Sequence, residues 1–483
     1  MNAWFPRITV HSLFVVISVL TYVLTTRVER ERRPPSIAIA WVLGMIAVPY
    51  VALPTYILFG RRKLPRKLLR WSGILAHCTH WAEDLIESFG LAPCSPCSIR
   101  MHRNGEESAA ALFATMANAT QRLDICTYIL GDDPFGREAM QRMIDCAGGG
   151  AQVRLLIDGV GALQLPQHCF KTLRTAGIEI AIFSPLFARK TQGPRNLRNH
   201  RKMTIADGAW LWAGGRNIAA EYFTGRDGAA PWRDLSFDLK GAVAAAAANQ
   251  FEADWVAAGG RPAPRVANSG AVDSMRDAAA VASPPDSMLD VEGTASRVGS
   301  APDPAAGRAQ YLPSGPDQAE DTVHALLIDA CFHARQRVIA VTPYFVPDAA
   351  LETSMRLAAR RGVKIDLVLP AVSNHQLADF ARNRALRALG NAGVSIHLVP
   401  SMIHAKAVVF DESLAISGSV NLDSRSLLLN YECAVVFFGT REIDWLAHWV
   451  KDLIPESQPF DCRPPALWRD IAEGLLLTVA YQL

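Results

Sequence analysis

Two long apolar stretches open the chain, at residues 8–26 and 36–60, and neither holds a formal charge. Each is long enough for a helix that crosses a hydrocarbon core, which needs about 20 residues. The segment RVERERRPP separates them and RRKLPRKLLR follows. The pattern predicts an N-terminal two-helix transmembrane hairpin. Further along, short β-branched runs at 121–130, 152–158, 178–183, 337–342, 364–369 and 394–399 read as buried strands. Stretches with helical period lie between them, at 134–147, 348–361 and 375–391. Strands alternating with helices predict α/β sheets with helices packed outside. Residues 261–310 are rich in Ala, Ser, Pro, Gly and Asp and have no periodicity, which predicts a linker. The expected division is therefore a hairpin with a basic segment (1–70), a first α/β half (71–260), the linker (261–310) and a second half (311–483). The last segment, 467–483, is apolar at helical spacing but too broken to span, and is expected to dock on the core.

Composition sharpens this picture. With 483 residues, 50% of them hydrophobic, the chain can bury two cores. The net charge is only +3, so no global basic field is available for nucleic acid. Residues 1–70 carry eleven Lys/Arg and two Glu, a net of +9, which leaves −6 on the rest. The hairpin loop has four arginines, and the outer flanks have Arg7, Arg61, Arg62, Lys63, Arg66, Lys67 and Arg70. That bias favours both ends, and the catalytic body, in the cytoplasm. Nine cysteines form no disulfide framework, and Cys94–Cys97 lacks the second pair that a metal site wants.

The body contains a repeat. His200, Lys202, Asp207, Gly214, Gly215 and Asn217 recur as His404, Lys406, Asp411, Gly418, Ser419 and Asn421, at the same spacings throughout. On an extended backbone, His and Lys two apart share a face. Two histidines, two lysines and two asparagines suit a tetrahedral phosphate. The lysines and amides would hold non-bridging oxygens, with Gly215 and Ser419 letting backbone approach. One histidine can attack phosphorus while the other protonates the leaving alcohol. His200, Lys202, Asp207, His404, Lys406 and Asp411 are the candidate catalytic set. Within it, Asp207 and Asp411 end their strands and read better as turn anchors. Asn217, Asn421, Gly215 and Ser419 are the candidate phosphate-binding positions. Asp234 and Glu432 are the candidate acids that orient the histidines. No metal and no cofactor is expected. Arg189, Lys190, Arg195, Arg198 and Arg201 cluster before the first motif, where they could receive anionic headgroups.

These paired H-x-K-x4-D motifs resemble the phospholipase D superfamily. More narrowly, the chain resembles bacterial cardiolipin synthases. That resemblance includes the hairpin, the stretch from Tyr128 to Gly136, Gly-Gly-Arg-Asn-Ile-Ala-Ala-Glu-Tyr222, Trp-Arg-Asp234, Thr342-Pro-Tyr-Phe-Val-Pro347, Gly418-Ser-Val-Asn-Leu-Asp-Ser-Arg-Ser426 and Asn430-Tyr-Glu432. It implies a pseudo-twofold α/β/α/β/α sandwich with the site between the halves. It also implies a ping-pong transfer through a phosphatidyl-histidine, with His200 as nucleophile and His404 as acid, then base. Phosphatidylglycerol is the implied lipid substrate, with phosphatidylethanolamine as another candidate donor, at a bacterial inner membrane. No nucleic acid partner is expected, and the oligomeric state is left open. Where the family has an acidic residue near Val372-Ser-Asn374-His375, this chain has Asn. Competing readings are a phospholipase D that uses water as acceptor, a nuclease and an inactive membrane scaffold.

Overall fold

The repeated sequence segments fold into repeated strands. The computed structural model describes residues 10–29, 35–60, 80–185, 196–262 and 307–477. The first set of strands is β1 (Ser95–His102), β2 (Arg122–Thr127), β3 (Gln152–Asp158), β4 (Glu179–Phe183), β5 (Met203–Ala206), β6 (Trp210–Gly214) and β7 (Ser236–Lys240). The second is β8 (Gly307–Ser314), β9 (Arg337–Val341), β10 (Phe345–Val346), β11 (Lys364–Pro370), β12 (Ser395–Val399), β13 (Ala407–Phe410), β14 (Leu414–Gly418), β15 (Leu422–Asp423), β16 (Glu432–Phe437) and β17 (Gln458–Pro459). All six predicted strands and all three predicted helical stretches are present.

Hydrogen bonding joins the two sets through the antiparallel pair β1–β8, with Ser95 opposite Ala309. Outward from that pair the order is β1-β7-β6-β5-β2-β3-β4 on one side and β8-β16-β14-β13-β9-β11-β12 on the other. The parallel runs β2-β3-β4 and β9-β11-β12 need crossovers. Helices Pro134–Gly148 and Gln167–Thr175 supply them in the first half, and Ala349–Arg360 and Gln376–Gly390 in the second.

Three cores result. A central one contains helices Ala242–Ala257 and Thr440–Lys451 with strand residues of both halves. There Phe237 and Phe437 meet edge to face at 5.3 Å, a geometry worth about 1 kcal/mol beyond burial. Each half has an outer core of its own under its crossover helices. Helix, sheet, helix, sheet and helix thus follow one another. One element departs from the expected division. Helix Trp81–Ser88 turns Ala82 and Ile86 into the outer core of the second half. Trp81 stacks on His333 at 4.1 Å, and Glu83 accepts from Arg308 at 2.8 Å. Cys94 and Cys97 are free thiols.

At the N-terminus the first apolar stretch forms helix Val10–Glu29. The second forms two helices, Pro35–Ala47 and Pro49–Phe59, in place of one continuous span. The break falls at Val48 (φ −140°, ψ 61°), because the ring of Pro49 disfavours helical backbone in the residue before it. Tyr56 is buried among the three helices, with its hydroxyl 2.7 Å from Thr25 Oγ1 and its ring against Tyr22 and Trp41. Among the described residues, no helix is long and apolar enough to cross a membrane. The basic residues 61–70, most of the 261–310 linker and residues 478–483 lie outside the described residues. Helix Leu467–Leu477 docks by one face, as expected. Glu473 is buried against Arg387, and Leu476 and Leu477 pack on Val346, Ala378 and Ala381.

Candidate active site

The two motif histidines sit just before β5 and β13, at the boundary between the halves. The strands start one residue after each lysine, because the preceding backbone pairs across to the other half. His200 N donates to Tyr431 O at 2.8 Å, and Tyr431 N donates to Arg198 O at 2.9 Å. The second motif repeats the arrangement. His404 N donates to Arg233 O at 2.7 Å, and Arg233 N donates to Met402 O at 3.0 Å. Each clamp presents the next residue, Glu432 or Asp234, to the histidine of the opposite half.

The resulting acid–histidine pairs are crossed. His404 Nδ1 lies 2.7 Å from Asp234 Oδ2, and His200 Nδ1 lies 3.3 Å from Glu432 Oε1. With Nδ1 turned to a carboxylate, Nε2 is the nitrogen left for chemistry in each ring. Burial, then the charge of Lys202, lowers His200 to about 4, against the opposing pull of Glu432. Burial and then Lys406 lower His404 to about 3, against Asp234. Both imidazoles are therefore neutral at neutral pH. Burial alone would raise Asp234 and Glu432, but the facing histidines and lysines outweigh it and hold both carboxylates ionised.

Lys202 and Lys406 are almost fully buried. Lys202 Nζ donates to His200 O at 2.7 Å. Lys406 Nζ donates to His404 O and stands 2.8 Å from Nδ1 of that ring. Burial lowers both lysines, Lys406 to about 7, with Lys202 adding repulsion. A site with two crowded ammonium groups and two neutral imidazoles is short of negative charge, which an anion would supply.

The asparagines are also buried here. Asn217 Nδ2 donates to Tyr222 OH at 2.7 Å, and Asn421 Nδ2 donates to Ser426 Oγ at 3.0 Å. Each uses its amide in the same way, to a hydroxyl five residues on. Gly215 and Ser419 serve the carboxylates instead of offering donors to a ligand. A Cβ on Gly215 would come within 2.2 Å of Asp234 Oδ1, so only glycine admits that carboxylate. Ser419 Oγ donates to Glu432 Oε2 at 2.5 Å, and Ser419 N donates to Cys433 O at 2.9 Å. Their predicted phosphate-binding role is corrected accordingly. Asp207 and Asp411 stand at the far ends of β5 and β13, in left-handed backbone (φ 51° and 49°). Asp207 accepts from the amides of Thr120, Gln121 and Arg122, and Asp411 from those of Arg335, Gln336 and Arg337, at 2.8 to 3.0 Å. Both anchor turns, and their place in the candidate catalytic set is corrected too.

The basic cluster before the first motif divides. Arg189, Lys190 and Arg195 lie outside the described residues. Arg198 and Arg201 are buried and committed to the protein. Arg201 binds Asp254 at 2.5 Å, Asp317 at 3.0 Å and Glu432 O at 2.9 Å, so it latches the first motif onto the second half. Sequence reasoning also missed the rings around the histidines. Tyr128 meets His200 at 4.3 Å, while Tyr222 and Trp232 meet His404 at 5.0 and 5.7 Å. Asn374 accepts from Tyr344 OH at 2.5 Å, a role open to an amide as well as a carboxylate. Among the described residues the one group with metal-ligand character is Asp132, His168 and Cys169, where Arg137 already pairs with Asp132 at 2.9 Å.

Two α/β halves of one strand order, sharing a site of two histidines and two lysines, define a phospholipase D-like protein. Comparison with known proteins narrows this. The family model described as "Cardiolipin synthase, PLD-like domain" matches residues 112–255 and 327–454, and "Phospholipase_D-nuclease N-terminal" matches 12–61. Cardiolipin synthase A of Pseudomonas aeruginosa is 30% identical over 450 residues, covering 88% of this chain and 85% of that protein. Cardiolipin synthase A of Pseudomonas putida is 28% identical over 441 residues, covering 86% of this chain and 85% of that one. The crystal structure of phosphatidylserine synthase from Haemophilus influenzae Rd KW20 shares the fold. Its TM-score is 0.58 at 13% identity, over 83% of this chain and 99% of that one. The chain belongs to the cardiolipin synthase family of phospholipase D-like proteins.

Proposed function

We propose that the protein is a membrane-bound phosphatidyltransferase that makes cardiolipin and glycerol from two phosphatidylglycerol molecules. The observation that carries this is the crossed pair of dyads, which leaves two Nε2 atoms for the same phosphodiester. His200 Nε2 attacks phosphorus. The P–O bond to the headgroup glycerol breaks, and His404 gives that oxygen a proton. In the second step His404 takes a proton from the hydroxyl of another phosphatidylglycerol. That oxygen bonds to phosphorus and displaces His200. Lys202, Lys406, Asn217 and Asn421 would hold the non-bridging oxygens. The order of the histidines follows their surroundings. The His200 side chain is 21% exposed and can reach a substrate, while that of His404 is 7% exposed with the shorter carboxylate contact. That contact supports an imidazolium once an anion has entered beside it. The match at residues 12–61 supports placing the N-terminal helices at a bacterial membrane, with the hairpin as our reading of them.

The test is a mass-spectrometric product assay on the detergent-solubilised full chain supplied with phosphatidylglycerol alone. Cardiolipin and glycerol in equal amounts, lost in His200→Ala and in His404→Ala, are expected. Phosphatidic acid as the only lipid product would make water the acceptor and the protein a phospholipase D.

A further inference from the structure

The halves are not equivalent around their carboxylates. Gly215 and Asn217 correspond to Ser419 and Asn421, which makes Arg216 the counterpart of Val420. One half therefore places a cation where the other places an apolar side chain. Arg216 is 1% exposed. Its Nε donates to Tyr222 O at 3.0 Å, and its Nη1 donates to Ser236 Oγ at 3.0 Å. Its guanidinium lies over the Phe223 ring at 5.8 Å. Among the described residues no carboxylate is within ion-pair distance of it, although buried charges are normally paired. Nothing in the packing requires this charge, since Val420 fills the matching place.

The nearest anion it acts on is Asp234, two residues before the Ser236 that anchors it. Burial pulls Arg216 down to about 10, with Asp234 opposing, so it remains a cation at neutral pH. Asp234 is itself buried and bonded to His404 Nδ1 and Leu235 N. A fixed cation behind a carboxylate satisfies part of its charge, and the effect is large where water is excluded. The carboxylate then gives less support to the imidazolium, which releases its proton more readily. The charged groups facing this dyad are Lys406 and Lys202 in front and Arg216 behind. On β7 the neighbouring ionisable groups are His102 and Asp238, which pair with each other at 2.6 Å. The Glu432–His200 pair has Ser419 Oγ and Asn430 Nδ2 in place of an arginine.

We propose that Arg216 is a positioning residue that acts through Asp234 to make His404 the stronger proton donor of the two histidines. This rests on the proposed transfer reaction. It gives the pseudo-symmetric site a direction, with nucleophile on the Glu432 side and acid on the Arg216 side.

The test compares the wild-type full chain with Arg216→Gln and Arg216→Lys in mixed micelles of phosphatidylglycerol, following kcat/KM against pH. A needed acid governs the alkaline limb of such a profile, and a needed neutral nucleophile the acidic limb. Removing the cation raises the proton affinity of the Asp234–His404 pair. The alkaline limb of Arg216→Gln is therefore expected to move up by about one pH unit, with kcat roughly tenfold lower. Arg216→Lys keeps a charge and is expected to hold the wild-type limb. A loss that is uniform across pH, with neither limb moved, would leave Arg216 a packing residue and overturn the proposal. So would movement of the acidic limb alone, which would place the tuned histidine as nucleophile. If Arg216→Gln does not fold, an Arg216→Lys protein that folds and still shifts the alkaline limb overturns the proposal on its own. Either phosphatidic acid or cardiolipin can be counted as product, so failure of the transfer reading is separable from failure of this one.

Discussion

Neither histidine carries its own counter-ion. The carboxylate that orients His404 lies 170 residues away, in the other half, and the same crossing serves His200. Spacing alone gave both acids as candidates, because each follows its Asn at a comparable place. It could not give the crossing, since distance along the chain says nothing about which half meets which. Arg216 was hidden for a related reason, as it stands inside a repeat where only its difference from Val420 has meaning. The crossing makes a prediction. Asp234→Asn should damage the acid and Glu432→Gln the nucleophile, each lowering kcat by about 100-fold to 10,000-fold in folded protein. A phosphodiester donor with a nitrophenolate leaving group needs no acid in its first step. With it, single-turnover release by Asp234→Asn should return to within about tenfold of wild type, while Glu432→Gln stays slow. Equal recovery of both would contradict the assigned order.

At the scale of elements, strand and helix positions were legible because β-branched runs and helical periods alternate cleanly. Two boundaries were not. The strands after His200 and His404 begin late, since the backbone before them is already bonded to the opposite half. The apolar run 36–60 breaks at Val48 because hydropathy counts apolar residues and ignores Pro49. Asp207 and Asp411 show how motif membership and chemistry can differ. Each closes the turn before β2 or β9 by accepting three backbone amides. Asp411→Ala should therefore cost about 2 kcal/mol, comparable to a strong helix cap. A calorimetric midpoint a few degrees lower is expected, with kcat of the folded fraction within about threefold of wild type. A kcat loss comparable to that of His404→Ala, at unchanged midpoint, would return Asp411 to the chemistry.

In the whole molecule, one sheet order repeated on either side of β1–β8 brings the two motifs to a shared boundary. Arg201 fastens that boundary through Asp254, Asp317 and the Glu432 carbonyl. The site is thus complete within one chain. Mixing His200→Ala protein with His404→Ala protein should restore less than about 1% of wild-type cardiolipin formation, since neither chain holds both histidines. Recovery towards half the wild-type rate would mean that halves of different chains exchange. The crossed carboxylates also bear on how such a chain can change over generations. A duplicated half is usually free to drift once its sister covers the original task. Here a drift in the Gly215 turn spares His200 and disarms His404, so the damage falls on the sister copy. Each half is therefore held in check by the other's need of it, and the two inherit as one unit.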